Sequence, residues 1–170
     1  MDLPIITERL LIAEFDESMA ESVHINSLDE DNRHFLPDEV FESAQEAWET
    51  MSVLITYYSQ NDKPLVYPLM LHDGQQIGHV QAIPVKDGWE IGYHVGKVYT
   101  GNGYATEALK AFLPKMMERL GITNVYAVCH ANNIASRKVL EKCGFLLIFE
   151  GMGKLHGKRQ LLCRYILNYA

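Results

Sequence analysis

The chemistry in this 170-residue chain gathers in two short stretches. The first, YTGNGYATEALKAF from Tyr99, places Gly101 and Gly103 at the doorway of a run with helical spacing. Glycines there can adopt positive φ and let another group come close to the backbone. The free N–H groups of the first helical turn, helped by the helix dipole, would then converge on an anion such as phosphate or pyrophosphate. A plain glycine turn that merely caps a helix has the same spacing. The known alternatives with a phosphate fail: there is no G-x-x-x-x-G-K-[ST], and no G-x-G-x-x-G closing a leading βα unit. The second stretch, ANNIASRKVLEKCGF, reads as a helix capped by Asn133, with Ser136 three residues on and Gly144 as its stop.

Around these stretches the pattern predicts a mixed α/β fold. A first strand near Leu10–Phe15 is followed by helices over Ser18–Ser27 and Ser43–Tyr58, with an acidic loop or short helices between them. Leu65–Leu71, Gln76–Val85 and Trp89–Val95 are rich in β-branched and aromatic residues, and HDGQ and KDG divide them into an antiparallel meander. A helix over about Gly103–Leu120, a strand at Val125–His130 and a helix at Asn133–Lys142 come next. Two closing strands, about Phe145–Glu150 and Gln160–Leu167, finish the chain. Pro114 falls inside the first of those helices, where it predicts a kink.

The totals narrow the class. One domain over residues 1–170 is expected from the length. A net charge of −7 argues against nucleic acid and is compatible with a cationic amine. No apolar run reaches bilayer length, and MDLPIITERL lacks the layout of a signal peptide, so no membrane partner and a cytoplasmic location are expected. Cys129, Cys143 and Cys163 are too few and too scattered for a disulfide framework or a zinc site, so three buried thiols and no metal are expected.

Taken together, the motifs resemble the GNAT (GCN5-related N-acetyltransferase) superfamily, and within it the ribosomal-protein alanine N-acetyltransferase (RimJ/RimL-like) branch. The phosphate arm of that family is matched by Thr100-Gly101-Asn102-Gly103-Tyr104-Ala105, followed by ATEA. The branch pattern N-x-x-S-x-x-x-x-x-K-x-G-F is matched by Asn133, Ser136, Lys142, Gly144 and Phe145. Thr7-Glu8-Arg9-Leu10, Glu90-Ile91-Gly92-Tyr93 and His156-Gly157-Lys158 supply three more matches in order, so the likeness runs nearly end to end. Two positions depart from it: Thr100 replaces the usual Gln or Arg, and Ala13 stands where the branch has arginine.

The resemblance implies a GNAT fold, a mostly antiparallel mixed sheet of about seven strands with helices on both faces and a splay between strands 4 and 5. Acetyl-CoA would lie in that splay. The backbone of Tyr93 and Val95 would pair with its pantetheine arm, and a backbone N–H there would polarise the thioester carbonyl. The amides of Gly101, Asn102, Gly103, Tyr104, Ala105 and Thr106 would hold the pyrophosphate, and Asn133 the pantetheine. The acceptor would be an amine, a protein N-terminus or a small molecule, met by a monomer or a homodimer.

That amine must lose a proton: an α-amine has pKa ~8 and a lysine amine ~10.4. Glu90 is the first candidate base and His94, where the branch commonly has tryptophan, the second; a strand's period of two puts both on one face. A solvated or salt-bridged Glu90 and a packed His94 are the plainer alternatives. The tyrosine that many relatives offer to the departing thiolate is replaced by Leu140, which leaves Ser136 as acid or hydrogen-bond donor, or else as a helix-capping serine. Cys143 reads as a buried thiol. Phe35, Phe41, Trp48, Tyr57 and Tyr58 with Asp29, Glu30, Asp31, Asp38 and Glu39 would wall the acceptor site, unless the aromatics are core. A catalytically silent acyl-CoA-binding module fits the same glycine and asparagine motifs.

Overall fold

The meander expected in the middle of the chain is the frame of the molecule. In the computed structural model, which describes residues 1–169, β3 (Leu65–Leu71), β4 (Gln76–Val85) and β5 (Gly88–Val95) pair antiparallel in sequence order. β1 (Ile5–Ile6) and β2 (Leu10–Ile12) extend the sheet on one side. On the other, β6 (Asn124–His130) lies parallel to β5, and β8 (Lys158–Asn168) and β7 (Leu146–Leu155) complete the order β1-β2-β3-β4-β5-β6-β8-β7. Eight strands stand where about seven were expected. The first predicted strand stops at Ile12, and Ile5–Ile6 form a separate short strand before it. The splay expected between strands 4 and 5 therefore falls between β5 and β6. The closing strands run longer than expected because they meet in a tight turn at His156-Gly157, where both residues have positive φ.

Alternation along the strands sends apolar side chains to both faces, and each face has its own core. Leu65, Tyr67 and Leu69 join Leu109, Phe112 and Met116 of α4 (Tyr104–Leu120) on one side, with α5 (Ile134–Lys142) beside it. Val66 joins Phe15, Met19, Ala47 and Met51 on the other, beneath α1 (Ala20–Ser27) and α3 (Ala44–Thr56). α3 starts where Ser43 accepts the N–H of Glu46 at 3.2 Å, while the Glu46 carboxylate reaches back to the N–H of Glu42 at 2.7 Å. α4 continues through Pro114 to Leu120. The proline removes one backbone bond, and its neighbours Phe112, Leu113, Met116 and Met117 are all buried, so packing holds the helix on both sides of it.

The acidic stretch is two short helical pieces, α2 (Glu30–Phe35) and a 3-10 turn at Pro37–Glu39. Asp29 caps α2 by accepting the N–H of Asn32 at 2.9 Å. The buried Asn32 amide then donates to the carbonyls of Ser27 (2.8 Å) and Glu39 (3.1 Å), which folds the pieces together into a cap over the sheet. Among the described residues no helix is long and apolar enough to cross a membrane.

Candidate active site

β4 and β5 share eight paired positions, from Gly78 with Val95 to Val85 with Gly88. β5 and β6 share one, Glu90 with Tyr126. Beyond it the two strands part, and Ile91–Val95 face Ala127–His130 across a cleft of about 920 Å³. The unpaired backbone of the two strands lines this gap, so it offers N–H and C=O groups to an extended polar chain.

One end of the cleft is the glycine turn. Gly101 and Gly103 have φ of 80° and 81°, a region costly for other residues. Gly103 is the N-cap of α4 and brings no side-chain cap, so the first-turn N–H groups of Tyr104, Ala105 and Thr106 lack a partner within the helix. A Cβ built on Gly101 would meet nothing within 4 Å, so space for a ligand stands over this turn. The turn is braced from behind. Arg9 donates to the carbonyl of Asn102 (2.9 Å) and to Oε2 of Glu107 (2.7 Å), and its guanidinium stacks over the Tyr104 ring at 4.7 Å. Thr7 donates to the other Glu107 oxygen at 2.6 Å. These hydrogen bonds hold the Glu107 carboxyl below its usual range against the opposing effect of burial. Thr7 and Arg9 in the opening T-x-R-L thus brace the glycine turn a hundred residues away. Asn102 itself does not line the cleft; its side chain donates to the carbonyls of Tyr99 and Thr100.

The middle of the cleft is set by Tyr93 and α5. Tyr93 points to the α4–α5 side, where its hydroxyl donates to the Ser136 carbonyl at 3.0 Å and lies 2.8 Å from Ser136 Oγ. Burial raises the Tyr93 phenol well above its ordinary value. Asn133 Oδ1 accepts the N–H of Ser136 at 3.1 Å, which caps α5 and leaves the Asn133 amide donors for another partner. Cys143 is half-buried rather than buried; desolvation pushes its thiol up to about 11, and Sγ points at the Thr106 carbonyl, so it is a poor nucleophile.

The other end lies on the opposite sheet face. Register pairs Glu90 with Ile83 and His94 with His79, so Glu90 and His94 share a face as expected. Burial raises the Glu90 carboxyl above its ordinary value, partly countered by the charges of Arg164 and His156. His94 is driven down to about 4 by burial and by the neighbouring His79, so it is neutral at neutral pH. Its Nε2 is 3.9 Å from Asp29.

Four carboxylates of the cap reach down here, and each is engaged. Asp31 binds Lys97, Asp38 contacts His156 Nδ1 at 2.7 Å, and Asp29 faces His94. Glu39 accepts from Gln81 at 2.8 Å and faces Nε2 of His79 at 3.0 Å, though that second pair is not aligned as a hydrogen bond. Burial would raise the Glu39 carboxyl, but His79, Gln81 and His94 bring it down to about 2. Gly92 makes this possible, because a Cβ there would sit 2.6 Å from Gln81 Nε2.

The residues expected to wall the acceptor site divide into two groups. Phe35, Asp29, Asp31, Asp38 and Glu39 line the cleft. Phe41, Trp48 and Tyr58 pack on the second core instead, with the Tyr58 hydroxyl donating to the Val66 carbonyl at 2.7 Å. Glu30 and Tyr57 stand outside the lining. His79 and Gln81 belong to none of the sequence motifs, and Arg9 stands in the opening T-x-R-L match with no role assigned to it there. Gly92 between Glu90 and His94 was the available signal for Gln81.

A family model described as the acetyltransferase (GNAT) domain matches residues 9–146. The uncharacterized N-acetyltransferase YnaD of Bacillus subtilis (strain 168) is 28% identical over 143 residues, 82% of this chain and 81% of that protein. Among solved structures, the RimL ribosomal L7/L12 α-N-protein acetyltransferase in complex with coenzyme A superposes with TM-score 0.83 at 19% identity, covering 99% and 98% of the two chains. The microcin C7 self-immunity acetyltransferase MccE, in complex with acetyl-CoA and AMP, gives TM-score 0.82 at 17% identity over 98% and 99%.

Proposed function

The chain belongs to the GNAT acetyltransferase family, and from that premise we propose that it transfers the acetyl group of acetyl-CoA directly to an amine in a ternary complex. The observation that carries this reading is the parted β5–β6 pair, with a glycine turn at one end and Glu90 on the far sheet face. Acetyl-CoA supplies an acyl carbon activated by its thiol leaving group. The residues present fit such a ligand, since the open space above Gly101 and the uncapped first turn of α4 accept a pyrophosphate. Backbone groups of Tyr93 and Val95 face the gap that a pantetheine would fill, with the free Asn133 amide across from them.

In this reading Glu90 takes the proton from the attacking amine, directly or through one water. Its raised pKa makes it a stronger base than an ordinary carboxylate. His94, neutral and weakly basic, serves better to position Asp29 and the cap than to hold a proton. Ser136 Oγ, with the Tyr93 hydroxyl behind it, hydrogen-bonds the departing thiolate. A protein N-terminus or a small amine enters beneath the cap, past Phe35.

Calorimetric titration with acetyl-CoA should give micromolar binding, about −8 kcal/mol. Glu90→Gln should then lower turnover by roughly 10²-fold or more while acetyl-CoA affinity stays unchanged. Absence of binding overturns the reading. Binding with no coenzyme A release against a panel of α-amines, polyamines and amino sugars would favour a silent acyl-CoA-binding module.

A further inference from the structure

Register carries the sheet face of Glu90 across the next two strands. Glu90 pairs with Tyr126 of β6, and the period of two puts Val128 on the same face. Val128 lines the cleft and pairs in turn with Arg164 of β8. Arg164 therefore stands on the side of Glu90, two strands away. Its guanidinium leans back over the Tyr126 ring, 4.3 Å from the centroid. That stack sets the charge above the residue next to Glu90, about one strand spacing, ~5 Å, from it.

The six arginines of the chain are occupied very differently. Arg9, Arg33 and Arg137 have carboxylate partners, and Arg119 donates to the Tyr67 hydroxyl and the Tyr58 carbonyl. Arg159 is exposed on the closing hairpin. Arg164 is half-buried, yet among the described residues it has no ion pair and no hydrogen bond. The tyrosine stack fixes its plane without using any of its five N–H donors. Glu90 feels its charge but is not paired with it.

We propose that Arg164 selects the acceptor, binding a carboxylate or phosphate of that molecule while its amine meets Glu90. The proposal rests on the acetyl-transfer reading and narrows the amine to one that carries an oxyanion. The planar fork of a guanidinium matches two oxygens of such a group. A span of ~5 Å corresponds to about four bonds between the amine nitrogen and the anionic centre. Asp29 faces His94 of β5 and Glu39 faces His79 of β4, so these carboxylates repel an anion from the cap side. Attraction and repulsion thus favour one orientation, amine toward β5 and anion toward β8, with Val128 and Tyr126 beneath the connecting atoms.

The test compares acceptors that differ in the anion. The pairs are 4-aminobutyrate with butylamine, phosphoethanolamine with ethanolamine, and the peptide amides Glu-Ala-Ala with Met-Ala-Ala. With acetyl-CoA saturating, at least one anionic member should exceed its neutral partner in kcat/KM by about tenfold or more. Which pair responds separates carboxylate from phosphate, and a small amine from a protein N-terminus. Arg164→Met, which keeps a flexible side chain over Tyr126, should bring that ratio close to one, and Arg164→Lys should leave it in between. A residue that only packs on Tyr126 or tunes Glu90 would change both members of a pair alike and leave their ratio intact. Equal turnover within every wild-type pair overturns the proposal and spares the transfer reading. So does a preference that survives Arg164→Met. Acetyl-CoA binding with no coenzyme A release from any acceptor overturns the transfer reading, and this proposal with it.

Discussion

The two ends of the cleft are built on opposite plans. The glycine end is made of backbone: positive φ at Gly101 and Gly103 and the uncapped first turn of α4 do the work, and side chains such as Arg9 and Glu107 only hold the turn in place. The cap end is made of side chains drawn from separate elements, carboxylates at 29, 31, 38 and 39 set against His94, Lys97, His156 and His79. Backbone recognition suits an invariant ligand group, because every residue type offers the same N–H. Side-chain recognition can be retuned one residue at a time, which is where acceptor choice would be encoded. The comparison also revises the idea of a simple acidic wall: each of these carboxylates faces a side chain from another element, so each fastens the cap as well as lining the cleft.

If the cap end is side-chain electrostatics, its behaviour must depend on pH. His94 has its folded pKa lowered to about 4 from 6.5. Between those values the unfolded chain binds a proton that the folded chain refuses, so stability falls as pH drops through that window. The contribution is about 3 kcal/mol. Urea unfolding at a series of pH values should show this loss in the wild type and its disappearance in His94→Gln. An unchanged slope in the variant would mean that His94 is not held neutral by burial, and the contrast between the ends would weaken.

The glycine end should instead respond to backbone shape. Gly103→Val forces a β-branched residue to φ of 81°, at a cost of about 2 kcal/mol, so affinity for coenzyme A should fall roughly 30-fold by calorimetry. A change under twofold would show that the amides of this turn do not hold the ligand. The smallest effect belongs to the brace. Arg9→Ala removes the bond to the Asn102 carbonyl and the Tyr104 stack, and should weaken coenzyme A binding by about 1 kcal/mol, or fivefold. Arg9→Lys, which keeps the charge but not the fork, should fall between the two.

Much of the fold is legible along the chain. The strands Leu65–Leu71 and Gln76–Val85 coincide with expectation, and the helices from 104 and 134 begin within one residue of it, because alternation and caps are local signals. The two-residue β1 carries too little pattern to register, and its pairing with β2 comes from the sheet. At the site, Gly101, Gly103, Asn133 and Ser136 stand out because glycine spacing and helix caps span only a few residues. Glu39, 42 residues from Gln81, and Arg9, 98 from Glu107, carry no local mark of their partners.

What the sequence by itself determined is the set of elements and the glycine turn, since both follow from φ preferences and the periods of helix and strand. What only the tertiary structure decided is which carboxylates are engaged, which aromatics are core, and that β7 is left as an open edge. Those outcomes depend on which segments meet across the sheet, and burial and charge act on whatever the fold has brought within a few ångströms.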